Sequence, residues 1–232
     1  MIKAQLHIHT KGDPVDAIPY GWRELIDNAK SLNYQALAIT CHKHIVFDPE
    51  ALSYATNNGI LLIKGVEIEI NKEHIVILNP ASEAEKICSF EDLRKYKNQN
   101  PESLIIAPHP FFPSKLALRT NTEKYINLID AIEYNYFYTR TINYNKKAHR
   151  LAQKHNKPMI GTSDCHILEY IDTTYSYIDT DDTELHLTEQ VLFDAIRNNR
   201  IRIQTKPLSH FRAIKILLTM LARKLRKKTN MV

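Results

Sequence analysis

Glycine is scarce in this chain. Five residues in 232 are glycine, and none belongs to a G-x-G-x-x-G run or a glycine-rich phosphate loop. That argues against a dinucleotide fold, which needs glycines for its tight turn and for close approach of the backbone to pyrophosphate. Cysteine is equally scarce: Cys41, Cys88 and Cys165 are odd in number and scattered, with no C-x-x-C pair. A disulfide scaffold is thereby disfavoured, and a reducing cytoplasm is the better fit. No uncharged apolar run approaches the ~18 residues of a membrane span. No apolar leader precedes the first strand pattern, so no signal peptide is expected. Internal repeats and low-complexity tracts are absent as well. Acidic residues are missing from the C-terminal stretch: from Arg197 onward there are eleven Lys or Arg and no Asp or Glu. The formal net charge of +5 therefore hides an acidic body, with twenty basic against 26 acidic side chains before Arg197. Such a body does not suit a protein whose main task is coating nucleic acid.

What is present is an ordinary globular balance, 44% hydrophobic and 25% charged, long enough for one sizeable core. The chain opens on a strand pattern in which Ile2, Ala4, Leu6 and Ile8 alternate with Lys3, Gln5, His7 and His9. Residues two apart in a strand share a face, so His7 and His9 present two imidazoles together. Apolar strands are then predicted at Gln35–Thr40, Ile60–Ile63 running on to Glu69, His74–Leu78, Leu104–Ala107, Ala131–Asn135, Met159–Thr162 and Ile201–Ile203. Helical periodicity covers about Trp22–Leu32, Pro49–Asn58, Ser89–Asn98, Asn143–His155 and Glu189–Asn198. Alternating βα units imply a parallel sheet flanked by helices, as a barrel or a doubly wound sheet. Either architecture gathers functional groups at the carboxyl ends of strands. His42, Glu67, His109, Asp164 and His166 all follow apolar strands there, and His109 is held stiffly between Pro108 and Pro110. With no phosphate loop, the barrel is favoured.

In order along the chain stand His7-x-His9-Thr10, Ile39-Thr40-x-His42, Gly65-Val66-Glu67, His74, Pro108-His109-Pro110 and Ser163-Asp164-x-His166. This series resembles the PHP family, the polymerase and histidinol phosphatase domain, over about residues 1–205. The resemblance implies a distorted (β/α)7 TIM-like barrel with a metal cluster at the strand ends, followed here by a basic C-terminal extension over 206–232. It also implies two or three divalent ions, which mixed imidazole and carboxylate ligands suit to Mn, Fe or Zn. One ion would take His7, His9, Glu67 and Asp164; a second would take Glu67, His74 and His109. A third would take His42, His166 and an acidic group from the loop after the first strand. Asp16 is the better match for that ligand, with Asp13 as the other choice. Glu67, Asp164 and His109 would be the catalytic residues. Cys41 departs from the family's usual Asp, and a thiolate there would shift metal preference towards softer ions.

The implied activity is hydrolysis of a small phosphomonoester, a nucleotide or sugar phosphate, with a metal-bridging hydroxide as nucleophile. The alternatives are a nuclease-type phosphodiesterase and a non-catalytic metal-binding module. Lys11, Lys43, Arg119 and Arg140 stand near strand ends as phosphate clamps, although each also reads as a solvated surface charge. Glu69 shares the face of Glu67, and the run Tyr134, Tyr136, Phe137, Tyr138 reads either as a base-stacking surface or as core and rim. His44, His149, His155, His186 and His210 read as loop or surface residues. The tail from Phe211 to Lys228 is an amphipathic basic helix pattern, with Ile214, Leu217, Leu218, Leu221 and Leu225 at helical spacing. It can cap the barrel or pair subunits, lie on an anionic membrane surface, or bind nucleic acid.

Overall fold

The computed structural model describes residues 1–180 and 187–229, with side chains of the last helix described as far as Thr219. His186 lies outside the described residues. The strands are β1 (Ile2–Ile8), β2 (Ala36–Ile39), β3 (Leu61–Ile70), β4 (Glu73–Leu78), β5 (Leu104–Ala107), β6 (Ala131–Asn135), β7 (Met159–Thr162), β8 (Thr174–Ile178) and β9 (Ile201–Thr205). The helices are α1 (Trp22–Ser31), α2 (Pro49–Asn57), α3 (Phe90–Gln99), α4 (Thr120–Lys124), α5 (Asn145–Lys154), α6 (Glu189–Arg197) and α7 (His210–Thr229). Local chemistry accounts for several helix starts. Asp48 caps α2 by accepting from the Glu50 amide, with Pro49 at the first helical position. Ser89 caps α3 by accepting from the Asp92 amide at 3.1 Å.

Among the described residues the sheet runs β7-β6-β5-β4-β3-β2-β1-β8-β9. β1, β2 and β3 are parallel, as are β5, β6 and β7. The sheet curls until β7 meets β8 and β9: the Gly161 amide donates to Ser176 Oγ at 2.9 Å, and that hydroxyl donates to the Gly161 carbonyl at 3.1 Å. A side chain at Gly161 would meet Ile203 Cγ2 at 2.6 Å, so only glycine allows this closure. The result is a nearly closed, TIM-like α/β barrel.

It departs from regular βα alternation in two places. β3 and β4 form an antiparallel hairpin through Asn71 and Lys72, both left-handed at φ 52° and 74°, and β4 then pairs antiparallel with β5. β8 and β9 add an antiparallel pair to the far side of β1. The strand pattern anticipated β9 in part and missed β8. The reason is physical: the buried side of β8 is Thr174, Ser176 and Ile178, two of them hydroxylic, so its alternation does not read as apolar and polar.

The barrel interior is packed by branched residues of the strands, with Leu6, Ile63, Val76, Leu104, Ile106, Ala131 and Ile160 in one cluster. α1 buries Leu25, Ile26 and Ala29, and α6 buries Leu192, Phe193, Ala195 and Ile196. α7 sits differently. The residues that attach it are Ala213 and Ile216, packed with Leu208 and Tyr170. Ile214, Leu217 and Leu218 of the expected apolar face are exposed and so do not cap the barrel, while the side chains of Leu221 and Leu225 lie outside the described residues. No helix among the described residues is long and apolar enough to cross a membrane.

Candidate metal centre

Three backbone clasps set the site. The Thr40 amide donates to the Ile8 carbonyl at 2.8 Å, continuing the β1–β2 pairing past the end of β2. Cys165 N–H donates to His7 O at 3.1 Å and His9 N–H to Cys165 O at 3.0 Å, joining the loop after β7 to the end of β1. Glu67 N–H donates to Cys41 O at 3.0 Å and Lys43 N–H to Glu67 O at 2.9 Å, tying His42 to the middle of β3. Two site residues also take left-handed backbone, His109 at φ 30° and Asp164 at φ 42°. Non-glycine residues hold such angles at a cost of about 1–3 kcal/mol, which clusters at functional sites.

Four side-chain atoms converge from β1, β3 and the loop after β7. His7 Nε2 lies 3.5 Å from Glu67 Oε2 and 3.5 Å from Asp164 Oδ1. His9 Nε2 lies 3.4 Å from Glu67 Oε2, 3.3 Å from Asp164 Oδ1 and 3.3 Å from His7 Nε2. Ligands bound to one ion at about 2.1 Å, at tetrahedral or octahedral angles, sit roughly 3.0–3.4 Å apart. Those five separations are close to that spacing, and among the described residues His7, His9 and Asp164 form one compact donor group and His42, Glu67 and His74 another. The other carboxylate oxygen, Glu67 Oε1, faces His74 Nδ1 at 2.8 Å and His109 Nε2 at 3.2 Å. Glu67 can therefore serve two ions, one through each oxygen.

The third expected group is only partly assembled. His166 Nε2 lies 3.1 Å from Asp16 Oδ2, while His166 Nδ1 faces the Asp164 carbonyl at 2.9 Å. Both partners only accept, so each ring nitrogen donates and the imidazole carries its charge; an ion held between His166 and Asp16 would take the place of the Nε2 proton. His42 does not join that pair; its Nε2 lies 3.1 Å from Glu67 Oε2. The two acidic candidates of the first loop have different neighbours, and Asp13 with His9 and His42 is itself a compact donor group. Asp13 Oδ2 accepts from His9 Nδ1 at 2.8 Å, His42 Nδ1 at 2.9 Å and the His42 amide at 2.9 Å, and Oδ1 accepts the amides of Val15 and Asp16. With its oxygens so occupied, Asp13 can fix two imidazoles with Nε2 outward, whereas Asp16 keeps an oxygen beside His166.

Glu133 escaped the sequence reading. It is fully buried in β6, 3.0 Å from His7 Nδ1, and accepts the His109 amide at 3.2 Å and Asn135 Nδ2 at 2.7 Å. A carboxylate behind a ligating imidazole fixes its tautomer and raises its basicity. The available signal was a lone acid flanked by apolar residues in Ala131–Asn135. Lys11, Lys43, Arg119 and Arg140 are all exposed, and Lys43 Nζ pairs with Glu69 Oε2 at 3.4 Å. Cys41 Sγ is buried against Thr10, and burial pushes its thiol up, so it does not offer a ready thiolate.

Electrostatics follow from packing three acids among imidazoles. Burial alone would raise Glu67, but His74, His7 and His109 hold it well below the usual carboxylate range. Burial would likewise raise Asp164, and His7 and His166 pull it down. Burial would lower His7, yet Asp164, Glu67 and Glu133 raise it well above the ordinary imidazole value. His166 is pushed up to about 9, burial being overcome by Asp164 and Asp16. His9 is lowered, first by burial and then by the charge of His166. Glu67 and Asp164 thus stay ionised and call for positive charge between them.

Comparisons with known proteins point the same way. A family profile described as PHP-associated matches residues 143–201. The DNA polymerase III PolC-type of Caldanaerobacter subterraneus subsp. tengcongensis is 33% identical over 82 residues, 35% of this chain and 6% of the polymerase. The fold is shared with a two-domain protein of Bacteroides vulgatus described as containing a PHP-like metal-dependent phosphoesterase, at TM-score 0.67, 19% identity and coverage of 88% of this chain and 64% of that one. These matches support a PHP-domain family for the chain. The fold is also shared with the lesion-specific endonuclease PfuEndoQ of Pyrococcus furiosus, at TM-score 0.63 and 14% identity, covering 87% of this chain and 57% of that one. The chain thus spans a small fraction of the polymerase and about three fifths of each of these two structures.

Proposed function

We propose that this PHP domain is a metal-dependent hydrolase of phosphate esters, acting on a small phosphomonoester such as a nucleotide or sugar phosphate. The observation that carries the reading is the convergence of His7 Nε2 and His9 Nε2, 3.3 Å apart, with Glu67 Oε2 and Asp164 Oδ1 each 3.3 to 3.5 Å from both. Two or three divalent ions fit the donors, and nitrogen with oxygen ligands suits Mn, Fe or Zn. Bound ions supply neutralisation of the ester's charge and an activated water near neutral pH. The chain's own residues bind and orient. In this reading His7, His9, Glu67 and Asp164 hold one ion; Glu67, His74 and His109 hold a second; Asp16 and His166 hold a third, which His42 would join by turning its Nε2 away from Glu67 Oε2. Glu133 and Asp13 keep the imidazoles in the ligating tautomer. Glu67, Asp164 and His109 are the catalytic residues, and Lys11, Lys43, Arg119 and Arg140 receive the phosphate's remaining charge.

The side chain of Asp164 is 22% exposed and that of His166 24%, against 1% for His7 and Glu67 and 0% for His9, so the centre opens on the side of Asp164 and His166, where a phosphate can enter. A nuclease-type phosphodiesterase is the second reading, favoured by the fold likeness to the P. furiosus endonuclease. Turnover of a phosphomonoester panel beside phosphodiester and DNA substrates, with added Mn²⁺ and with Asp164→Ala as control, tests both. Monoester cleavage lost in Asp164→Ala supports the first reading. Cleavage of diesters alone replaces it with the second, and metal binding without any turnover leaves a non-catalytic module.

A further inference from the structure

We propose that α7 is a membrane-surface helix that docks this domain on anionic lipid. The helix touches the body through one edge. Ala213 and Ile216 are buried beside Leu208 and Tyr170, with Tyr136, Phe137 and Ile167 packed around them. Arg212 pairs with Glu169 at 3.0 Å, and His210 Nε2 meets Thr141 Oγ1 at 2.8 Å. The larger apolar residues face away: Phe211 is 78% exposed, Ile214 55%, Leu217 43% and Leu218 61%. At roughly 100° per residue, Phe211, Ile214 and Leu218 fall in one stripe about 60° wide, and Ala213 and Ile216 lie on the other side of the helix. Lys215 borders the stripe. Ile142, beside the Thr141 contact, is exposed as well.

Three occupants would cover such a stripe, and charge decides among them. Over His210–Thr229 the sequence holds seven Lys or Arg and no acid. A second copy would bring like charge against like charge, with no carboxylate on either helix to relieve it. Nucleic acid would answer the charge and leave the apolar stripe in water. An anionic bilayer takes both, apolar side chains into the acyl boundary and lysines and arginines to the headgroups. The contacts of Ile167 and Tyr170 join α7 to the segment that follows His166, so docking carries the metal centre to the lipid surface.

The test is flotation of the full chain with vesicles of phosphatidylcholine alone and of equimolar phosphatidylcholine and phosphatidylserine, with light scattering and duplex-DNA binding in parallel. The expected result is binding to the anionic vesicles alone, weakened by salt. Ile214→Ser with Leu218→Ser should weaken it about tenfold or more, and Lys215→Gln about fivefold. These side chains are exposed, so unchanged melting of the variants shows that folding is intact. The proposal is overturned if neutral vesicles bind equally, or if the apolar pair leaves vesicle binding unchanged. It is also overturned if that pair splits a dimer into monomers, or if DNA binds and vesicles do not.

Discussion

Glu133→Gln offers the sharpest test of the metal centre, because it changes one charge behind the ligands without removing a ligand. The carboxylate accepts three N–H groups: His7 Nδ1 and the His109 amide at Oε2, and Asn135 Nδ2 at Oε1. A glutamine has one acceptor oxygen, so its NH₂ must face either His7 and His109 or Asn135, donor against donor. Asn135 cannot turn its amide to help, since its Oδ1 already accepts the Phe137 amide at 2.9 Å. One buried mismatch of this kind costs about 1–3 kcal/mol of stability. Removing the charge behind His7 also lowers that imidazole's basicity, and losses of this type weaken metal affinity about 10–100-fold, or roughly 1.4–2.7 kcal/mol. Calorimetric titration of the metal-stripped protein with Mn²⁺ or Zn²⁺ measures the effect directly. Asp164→Ala, which removes a ligand, should weaken binding further. If Glu133→Gln binds metal as tightly as the native chain while Asp164→Ala does not, the positioning role of Glu133 is wrong.

Asp13 and Asp16 should separate by metal count: Asp16→Asn lowers the number of ions bound, whereas Asp13→Asn weakens affinity and leaves the number unchanged, as elemental analysis across a loading series will show. Gly65→Ala should lower the melting temperature, by the equivalent of about 1–3 kcal/mol, because its Cβ would sit 2.6 Å from Thr40 Cγ2 and 2.8 Å from the Ile39 carbonyl. An undiminished melt would mean that β2 and β3 can part there. Ser89→Ala removes the cap of α3 and should cost about 1 kcal/mol in denaturant titration, with metal binding unaffected.

Much of the barrel could be read in advance because its strands are buried on both faces and announce themselves as apolar runs. Ala36–Ile39 and Leu104–Ala107 are buried throughout, and the residues after them, His42 and His109, are drawn into the centre. What resisted reading was anything whose meaning depends on a distant neighbour. The β3–β4 hairpin turns on Asn71 and Lys72, a pair without the glycine that usually marks such a turn. Glu133 is an ordinary acid until His7 is placed beside it. Asp16 is preferred to Asp13 in the sequence by its match to the family pattern alone; their different surroundings show only when two histidines close on Asp13 and His166 on Asp16. The seat of α7 was hidden for the same reason, since small Ala213 rather than its larger neighbours meets the body.

The clasp between Cys165 and the end of β1 has a consequence for folding. It joins the first ligand-bearing segment to the last, so the pocket that holds His7 beside Asp164 exists only after nearly the whole barrel has closed. Contacts of such long sequence separation form late, after the chain has lost most of its loop entropy. A bound ion then stabilises the closed barrel in preference to any partly folded form, by mass action on the native state alone. Metal uptake during refolding would accordingly report completion of the barrel, and loading would slow its opening.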